Sequence, residues 1–195
     1  MKTVFFLIKR QVLGQEVHLG SVRDFAKSLW VLKDSASPSS ALLVSSYTLT
    51  AASSHAELAS ALQKADIVIP KGATLLKGIR ILYGVRAEQI TVWKLLETLC
   101  REQEMTSCAY HGDATFRKEL QARFPQLTLR EPGEDRNDLI LLCLPPDEWG
   151  HYLSEQNLKG CVLSLGDGYF RPPFLQRCQE NVSFRLRVLG QKLFA

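Results

Sequence analysis

In ADIVIPKGATLLKG, residues 65 to 78, an apolar run ends at Pro70 and is followed at once by Lys71, Gly72 and a helical pattern. A lysine and exposed backbone amides at a helix start can hold a diphosphate, because the ammonium and the helix dipole both favour negative charge. A solvated turn lysine looks the same in sequence. The order of residues is not a P-loop, which needs GxxxxGK[ST]. His111-Gly112-Asp113 offers a similar choice. The imidazole could meet a phosphate or a base, or Asp113 could simply cap the next helix. Cys108 and His111 make half a zinc site, and no second CxxC or HxxxH completes it, so no metal is implied. Asp147, Glu148, His151 and Glu155 have the spacing to bring an acid and an imidazole together on a short helix. A polar face around buried Trp149 and Tyr152 explains them too. In Gly166-Asp167-Gly168, two glycines permit a tight backbone that could bring a carboxylate into a cleft, or a plain turn. GxSxG and GxGxxG are both missing, which removes the usual support for an α/β-hydrolase or a dinucleotide site.

The elements around these residues alternate. Capping-box spacings at Ser21 with Asp24 and at Ser54 with Glu57 predict two early helices. Between them DSASPSS (34–40) reads as a loop and ALLVSSY (41–47) as a strand buried on both faces. Strand 66–70 is followed by a helix on Leu75, Leu76, Ile79 and Leu82, and a second from Thr91 on Val92, Leu95, Leu96 and Leu99. SCAY (107–110) is a short strand, Phe116 and Leu120 mark a helix that Pro125 stops, and LTL (127–129) is a brief strand. DLILLCL (138–144) is the most hydrophobic strand. A short helix over 149–156, strand CVLSLG (161–166) and a last helix from Pro173 complete the chain.

This alternation predicts an α/β fold, a single doubly wound domain over residues 1–195 whose mainly parallel sheet is covered by helices on both faces. In such a sheet ligands sit beyond the strand carboxyl ends. The candidate site therefore gathers Ser45 to Tyr47, Lys71 and Gly72, His111 and Gly112, Asp147 and Glu148, and Asp167 and Gly168.

With 195 residues, 46% of them hydrophobic, the chain can bury a core as one domain. The net charge of +4 is modest and no basic run is interleaved with aromatics, which gives nucleic-acid binding no support. From Lys159 onward six basic residues face only Asp167 and Glu180, so the whole excess can be assigned to that end. The five cysteines are odd in number, widely spaced and mostly in apolar runs, as in a reduced cytosolic protein. The start, MKTVFFLIKRQ, is too short for a signal segment, and no run approaches the roughly eighteen apolar residues of a membrane span. The expected location is cytoplasmic, with any membrane contact peripheral. In the last helix Leu175, Cys178, Val182, Leu186 and Leu189 form an apolar stripe flanked by Arg185 and Lys192. The stripe could pack in the core beneath a solvated basic face, lie on an anionic membrane, or bury itself in a dimer, and Arg185 could reach a phosphorylated ligand.

Read in order, the segments resemble the WecG/TagA/CpsF glycosyltransferase family. VLGQEVHLGSVRDFAKSLW (12–30) looks like its opening strand and first helix. ADIVIPKGATLLKGIRILYG is similar to its ADLVLPDGxG segment, and ITVWKLLETLC to RVTGSDLLExLL. FRKELQARFPQL looks like the helix ending in YPGL, DLILLCLPPDEWGHYL is similar to DLLLVGLGxPKQExWI, and RPPFLQRCQENVSFRL resembles the RAPxWxxxxxLEWLxRL close. The resemblance implies transfer of an N-acetylmannosamine-type sugar from UDP to a lipid-diphosphate-linked acceptor in cell-envelope polysaccharide synthesis, without a cofactor. The site residues it implies depart from the family pattern. The aspartate of PDG, proposed as base, falls on Lys71, which cannot accept a proton while charged. Thr-x-Asn falls on Ser45 and Tyr47, GSD on Val92 to Lys94, and PKQE on Pro146 to Trp149, where Glu148 could stand in for the glutamine. Arg185 is retained, and the family's basic C-terminal appendage is largely absent. Two functions follow. In the first, Ser45, Tyr47, Lys71, Gly72, His111 and Arg185 bind substrate, and Asp167 or Glu148 serves as base. In the second, the protein is a catalytically inactive binding or scaffold subunit, as a homo-oligomer or beside a paralogue.

Overall fold

The structure is a computed structural model that describes residues 7–35, 37–133, 138–155, 160–165 and 174–193. It begins with a hairpin. Strands β1 (Ile8–Val12) and β2 (Gln15–Leu19) pair antiparallel through Leu13 and Gly14, both at positive φ, the backbone a two-residue hairpin turn requires. The segment expected as one opening strand is therefore two. Helix α1 (Val22–Lys33) starts at the Ser21 capping box, in which the hydroxyl accepts from the Asp24 amide and the Asp24 carboxylate accepts from the Ser21 amide.

Strand β3 (Ser39–Val44) stops three residues earlier than its apolar run suggested, and α2 (Ser46–Ala52) follows. The cause is local. Ser45 and Thr48 form a reciprocal cap, each side chain accepting from the other's amide, and this turns the chain out of the sheet. The expected Ser54 box does not form. Helix α3 (Ala56–Lys64) starts at His55 with no side-chain cap, and the Ser54 amide instead bonds back to Ala51. Then come β4 (Ile67–Pro70), α4 (Ala73–Tyr83), α5 (Val92–Glu102), β5 (Ser107–Gly112), α6 (Ala114–Arg123), β6 (Thr128–Arg130) and β7 (Asp138–Cys143). A 3-10 turn at Pro146–Glu148, α7 (Trp149–Glu155), β8 (Gly160–Ser164) and α8 (Phe174–Leu193) complete the described chain.

Six strands form one parallel sheet in the order β4-β3-β8-β7-β5-β6. Alternate strand residues feed two cores, as a period of two dictates. Leu43, Ile69, Tyr110, Leu141 and Leu163 meet α1, α5 and α6 through Phe25, Leu29, Leu95, Leu99 and Phe116. Leu42, Val68, Ala109, Ile140 and Val162 meet the other layer through Leu49, Leu58, Leu75, Ile79, Trp149 and Phe184. Helices thus cover both faces, as the sequence predicted. The chain leaves the centre for β4 on one side and for β6 on the other, then returns to insert β7 and β8 between them. The carboxyl ends of β3, β8 and β7 consequently line the crevice where such sheets bind ligands.

Helix α8 corrects the reading of its stripe as a core face. Among its described side chains Phe184 and Val188 are buried, at 0% and 1% exposure, packed against α4 and α2, while the side chains of Leu175 and Cys178 lie outside the described residues. Val182, Leu186 and Leu189 of the stripe are 57%, 65% and 49% exposed, and Leu193 extends the same side at 81%. Among the described residues no helix is long and apolar enough to cross a membrane.

Candidate functional site

Lys71 stands at the carboxyl end of edge strand β4. Its amide donates to the Val44 carbonyl at 2.7 Å, which ties the end of β4 to the end of β3. Its ammonium reaches over β3 to the Leu165 carbonyl just beyond β8, at 3.5 Å. Lys71 is half-buried. The next residue, Gly72, has φ 82° and begins α4 without any side-chain cap, leaving the amides of the first turn to the crevice. Together these features make an anion-binding arrangement, built from a cation and the positive end of an eleven-residue helix.

Beside Lys71 lies a cluster that sequence reasoning did not identify. Cys143, the last residue of β7, is 1% exposed, and burial pushes its thiol up from the ordinary range, opposed by its hydrogen bonds with Tyr110 and the Asp113 amide and by the Lys71 charge. Burial, reinforced by Cys143, raises the Tyr110 phenol as well, and its hydroxyl donates to the Asp113 carbonyl at 2.6 Å. The only hint in sequence was position, since a polarisable residue closes the most hydrophobic strand just before two prolines.

The choice at His111-Gly112-Asp113 is decided for capping at Asp113, whose carboxylate accepts from the Phe116 amide at 2.8 Å and starts α6. Its Oδ1 is thereby engaged in the cap. Gly112 has φ 135°, and a Cβ there would lie 2.1 Å from the Cys143 carbonyl, so the close approach of β5 and β7 admits no side chain. His111 follows Tyr110 in alternation and points to the other layer, where its ring stacks on Tyr152 at 4.8 Å and 28°. His111 therefore projects into the layer of α4, α7 and α8 rather than towards Cys143 and Tyr110.

The remaining candidates are distributed around the crevice. Ser45 caps α2 and half-buried Tyr47 sits in that helix's first turn, while Ser46 donates to the Asn181 side chain of α8 at 3.2 Å. Arg185 is exposed and lines, with Thr74, Lys77 and Gly78, a small groove of about 110 Å³ between α4 and α8. The helices carrying Ser46, Gly72 and Arg185 are packed on one another, which places these three in one layer. Glu148 lies exposed on the 3-10 turn after β7. Asp167 and Gly168 lie outside the described residues, as does the side chain of Asp147. Trp149 and Tyr152 are buried, at 0% and 6%, and His151 is exposed, which fits the polar-face reading of that short helix.

Trp93 explains one departure from the family pattern. It fills the space between α5 and α6, stacking on Phe116 at 5.3 Å and Phe124 at 6.4 Å, with the Arg123 guanidinium over its ring at 4.8 Å. Lys94 next to it pairs with Glu88. Both residues are engaged in packing and pairing. A cavity of about 580 Å³, lined by Ser39, Ser40, Asp66, Lys64 and Gly150, opens at the opposite, amino-terminal edge of the sheet and shares no residue with the crevice.

Fold and site define a doubly wound α/β protein with a cationic, helix-headed crevice at its strand carboxyl ends. The family model for glycosyl transferases of the WecG/TagA/CpsF family matches residues 10–135, more than half of the chain, and the protein belongs to that family. Among curated proteins no match is found. The matched region runs from β1 past β6 and includes Ser45, Tyr47, Lys71, Gly72 and His111. The segments carrying Glu148, Asp167 and Arg185 lie beyond it.

Proposed function

We propose that this chain, acting as one domain, is a nucleotide-sugar protein of its family, in which Lys71 holds the diphosphate of a UDP-sugar against the first turn of α4. The observation that carries this reading is the Lys71 ammonium in the crevice, 3.5 Å from the Leu165 carbonyl and at the head of a helix with no side-chain cap. A phosphate oxygen entering there meets a cation and free amides, a charge-assisted combination. Arg185, in the groove beside α4, extends the cationic surface towards a second phosphate or a lipid-diphosphate acceptor. The exposed stripe of α8, with Arg185, Arg187 and Lys192 and no acid from Asn181 to Leu193, supports peripheral contact with an anionic membrane where such an acceptor resides.

If sugar is transferred, the proton of the acceptor hydroxyl goes to Asp167 or Glu148, because Lys71 replaces the family's base and Asp113 is committed to its cap. Calorimetric titration with UDP and UDP-N-acetylmannosamine tests the binding. Saturable binding is expected, weakened by about tenfold to a hundredfold in Lys71→Ala, the range for loss of one charge-assisted contact. Turnover is expected to vanish in Asp167→Ala or in Glu148→Ala, and survival in both overturns the base assignment.

The second reading is a catalytically inactive binding or scaffold subunit. It is favoured by the same lysine, since the position of the family's base carries a cation. Absence of binding at millimolar UDP, together with a stable complex with a paralogue, decides for it.

A further inference from the structure

Strand β4 is at the edge of the sheet, and an edge strand presents alternate amides outward. The Lys71 amide points inward to Val44, so the amides of Val68 and of position 70 face out. Position 70 is proline and has no amide to satisfy. The Val68 amide is taken by a side chain from another element, donating to Nδ1 of His18 at 3.1 Å. His18 belongs to β2, packs against β4 and is 2% exposed.

This geometry fixes the protonation state. A nitrogen that accepts from an amide has no proton, so the neutral ring carries its hydrogen on Nε2. Nε2 is buried and has no hydrogen-bond partner among the described residues, the Glu16 carboxylate being 3.7 Å away. Any further proton must go to Nδ1, the atom that accepts the Val68 amide. Two donors would then face each other in a buried site, which costs the bond and leaves an amide unsatisfied.

We propose that His18 is an acid-released latch: its neutral ring holds the β1–β2 hairpin over the edge of β4, and protonation of Nδ1 frees the hairpin and uncovers the strand that positions Lys71. The surrounding charges do not compensate. Glu16, on the same strand and 3.7 Å from Nε2, favours the charged ring more than Lys9, its partner at 2.8 Å, opposes it, but burial outweighs both. From β4 the Val68 amide meets the ring. Asp66 is bonded to the Ser40 amide and Lys71 to Leu165. Helix α3 also packs on β2, and its Glu57 and Lys64 are exposed. Burial dominates and holds the imidazole below its ordinary range, in agreement with a latch that stays closed at neutral pH. The far end of the hairpin is tied to α8, where Gln191 accepts from the Leu13 amide at 3.1 Å and donates to the Gln11 carbonyl at 3.3 Å. Opening is thus confined to the β4 side. The inference is independent of what the crevice binds.

Amide hydrogen exchange followed by NMR from pH 7.5 to 5.0 tests it on the full chain. Protection factors of Val68 and the β2 amides are expected to fall by up to about tenfold per pH unit below the imidazole range, while β7 and β8 amides keep theirs. In His18→Gln, whose amide oxygen can accept from Val68 and does not titrate, the fall is expected to disappear. The same pH profile in wild type and variant overturns the latch, as does loss of Val68 protection only together with β7. A long-range imidazole ¹⁵N spectrum of the wild type provides a check without mutation. An Nε2–H tautomer at pH 7.5 is expected, and an Nδ1–H tautomer refutes the proposal.

Discussion

At the scale of single residues, the candidate site is defined by what each side chain is already committed to. Asp113 caps a helix, Trp93 fills the α5–α6 contact, and Ser45 exchanges hydrogen bonds with Thr48. Lys71 reaches over a neighbouring strand to the centre of the crevice. Two glycines nearby differ in kind, and stability measurements can separate them. Gly112→Ala drives a methyl into the Cys143 carbonyl at a φ that disfavours any side chain, and we expect it to cost about 2–4 kcal/mol. Gly72→Ala meets open space, so only its backbone, φ 82° and ψ 144°, opposes it, at about 1–3 kcal/mol. Urea denaturation of both variants checks the order. The lysine at position 71, the histidine and the aspartate were all visible in sequence, but their division between the two faces of the sheet was not. That division depends on strand alternation carried to the last residue of β5.

Among the elements, helix starts and helix faces show how far a local pattern reaches. The spacings Ser21–Asp24 and Ser54–Glu57 look equivalent in sequence, yet only the first forms a box. Near Ser54 the amides close the end of α2, and that competing turn displaces the cap. Ser21→Ala is therefore expected to cost about 1 kcal/mol, and Ser54→Ala less than about 0.5 kcal/mol, by chemical denaturation. Helix α8 makes the same point about faces. Leu186→Glu and Leu189→Glu, on the exposed stripe, are expected to leave stability within about 0.5 kcal/mol, whereas Phe184→Ala should cost about 3–5 kcal/mol. The variants of the stripe should also lower any binding to anionic vesicles.

For the molecule as a whole, the ionisable groups predict a stepped loss of stability in acid. The pKa of His18 is lowered by burial, so the unfolded chain takes up its proton first. Its contribution is present above the ordinary imidazole value of about 6.5 and is lost as pH falls through it. Asp24, held down chiefly by Ser21, and Glu88, held down chiefly by Lys94, act in the same direction lower on the scale. Their contribution is present above the ordinary carboxylate range and is lost as they protonate near pH 4 and below. Thermal melts from pH 8 to 3 are expected to be level above pH 7 and to fall in two stages. His18→Gln should remove the upper stage and keep the lower one.

The sequence by itself determined the alternation of strands and helices, the parallel sheet with two covered faces, and the position of Lys71 after an apolar strand. These follow from residue spacing within a few neighbours, which backbone geometry converts directly into elements. The neighbours of Cys143 and the face of α8 that meets the core were decided only by the tertiary structure. Each depends on residues far apart in the chain. Which of two apolar stripes is buried, and which side of a strand end a side chain takes, is set by the partner surface rather than by the pattern itself.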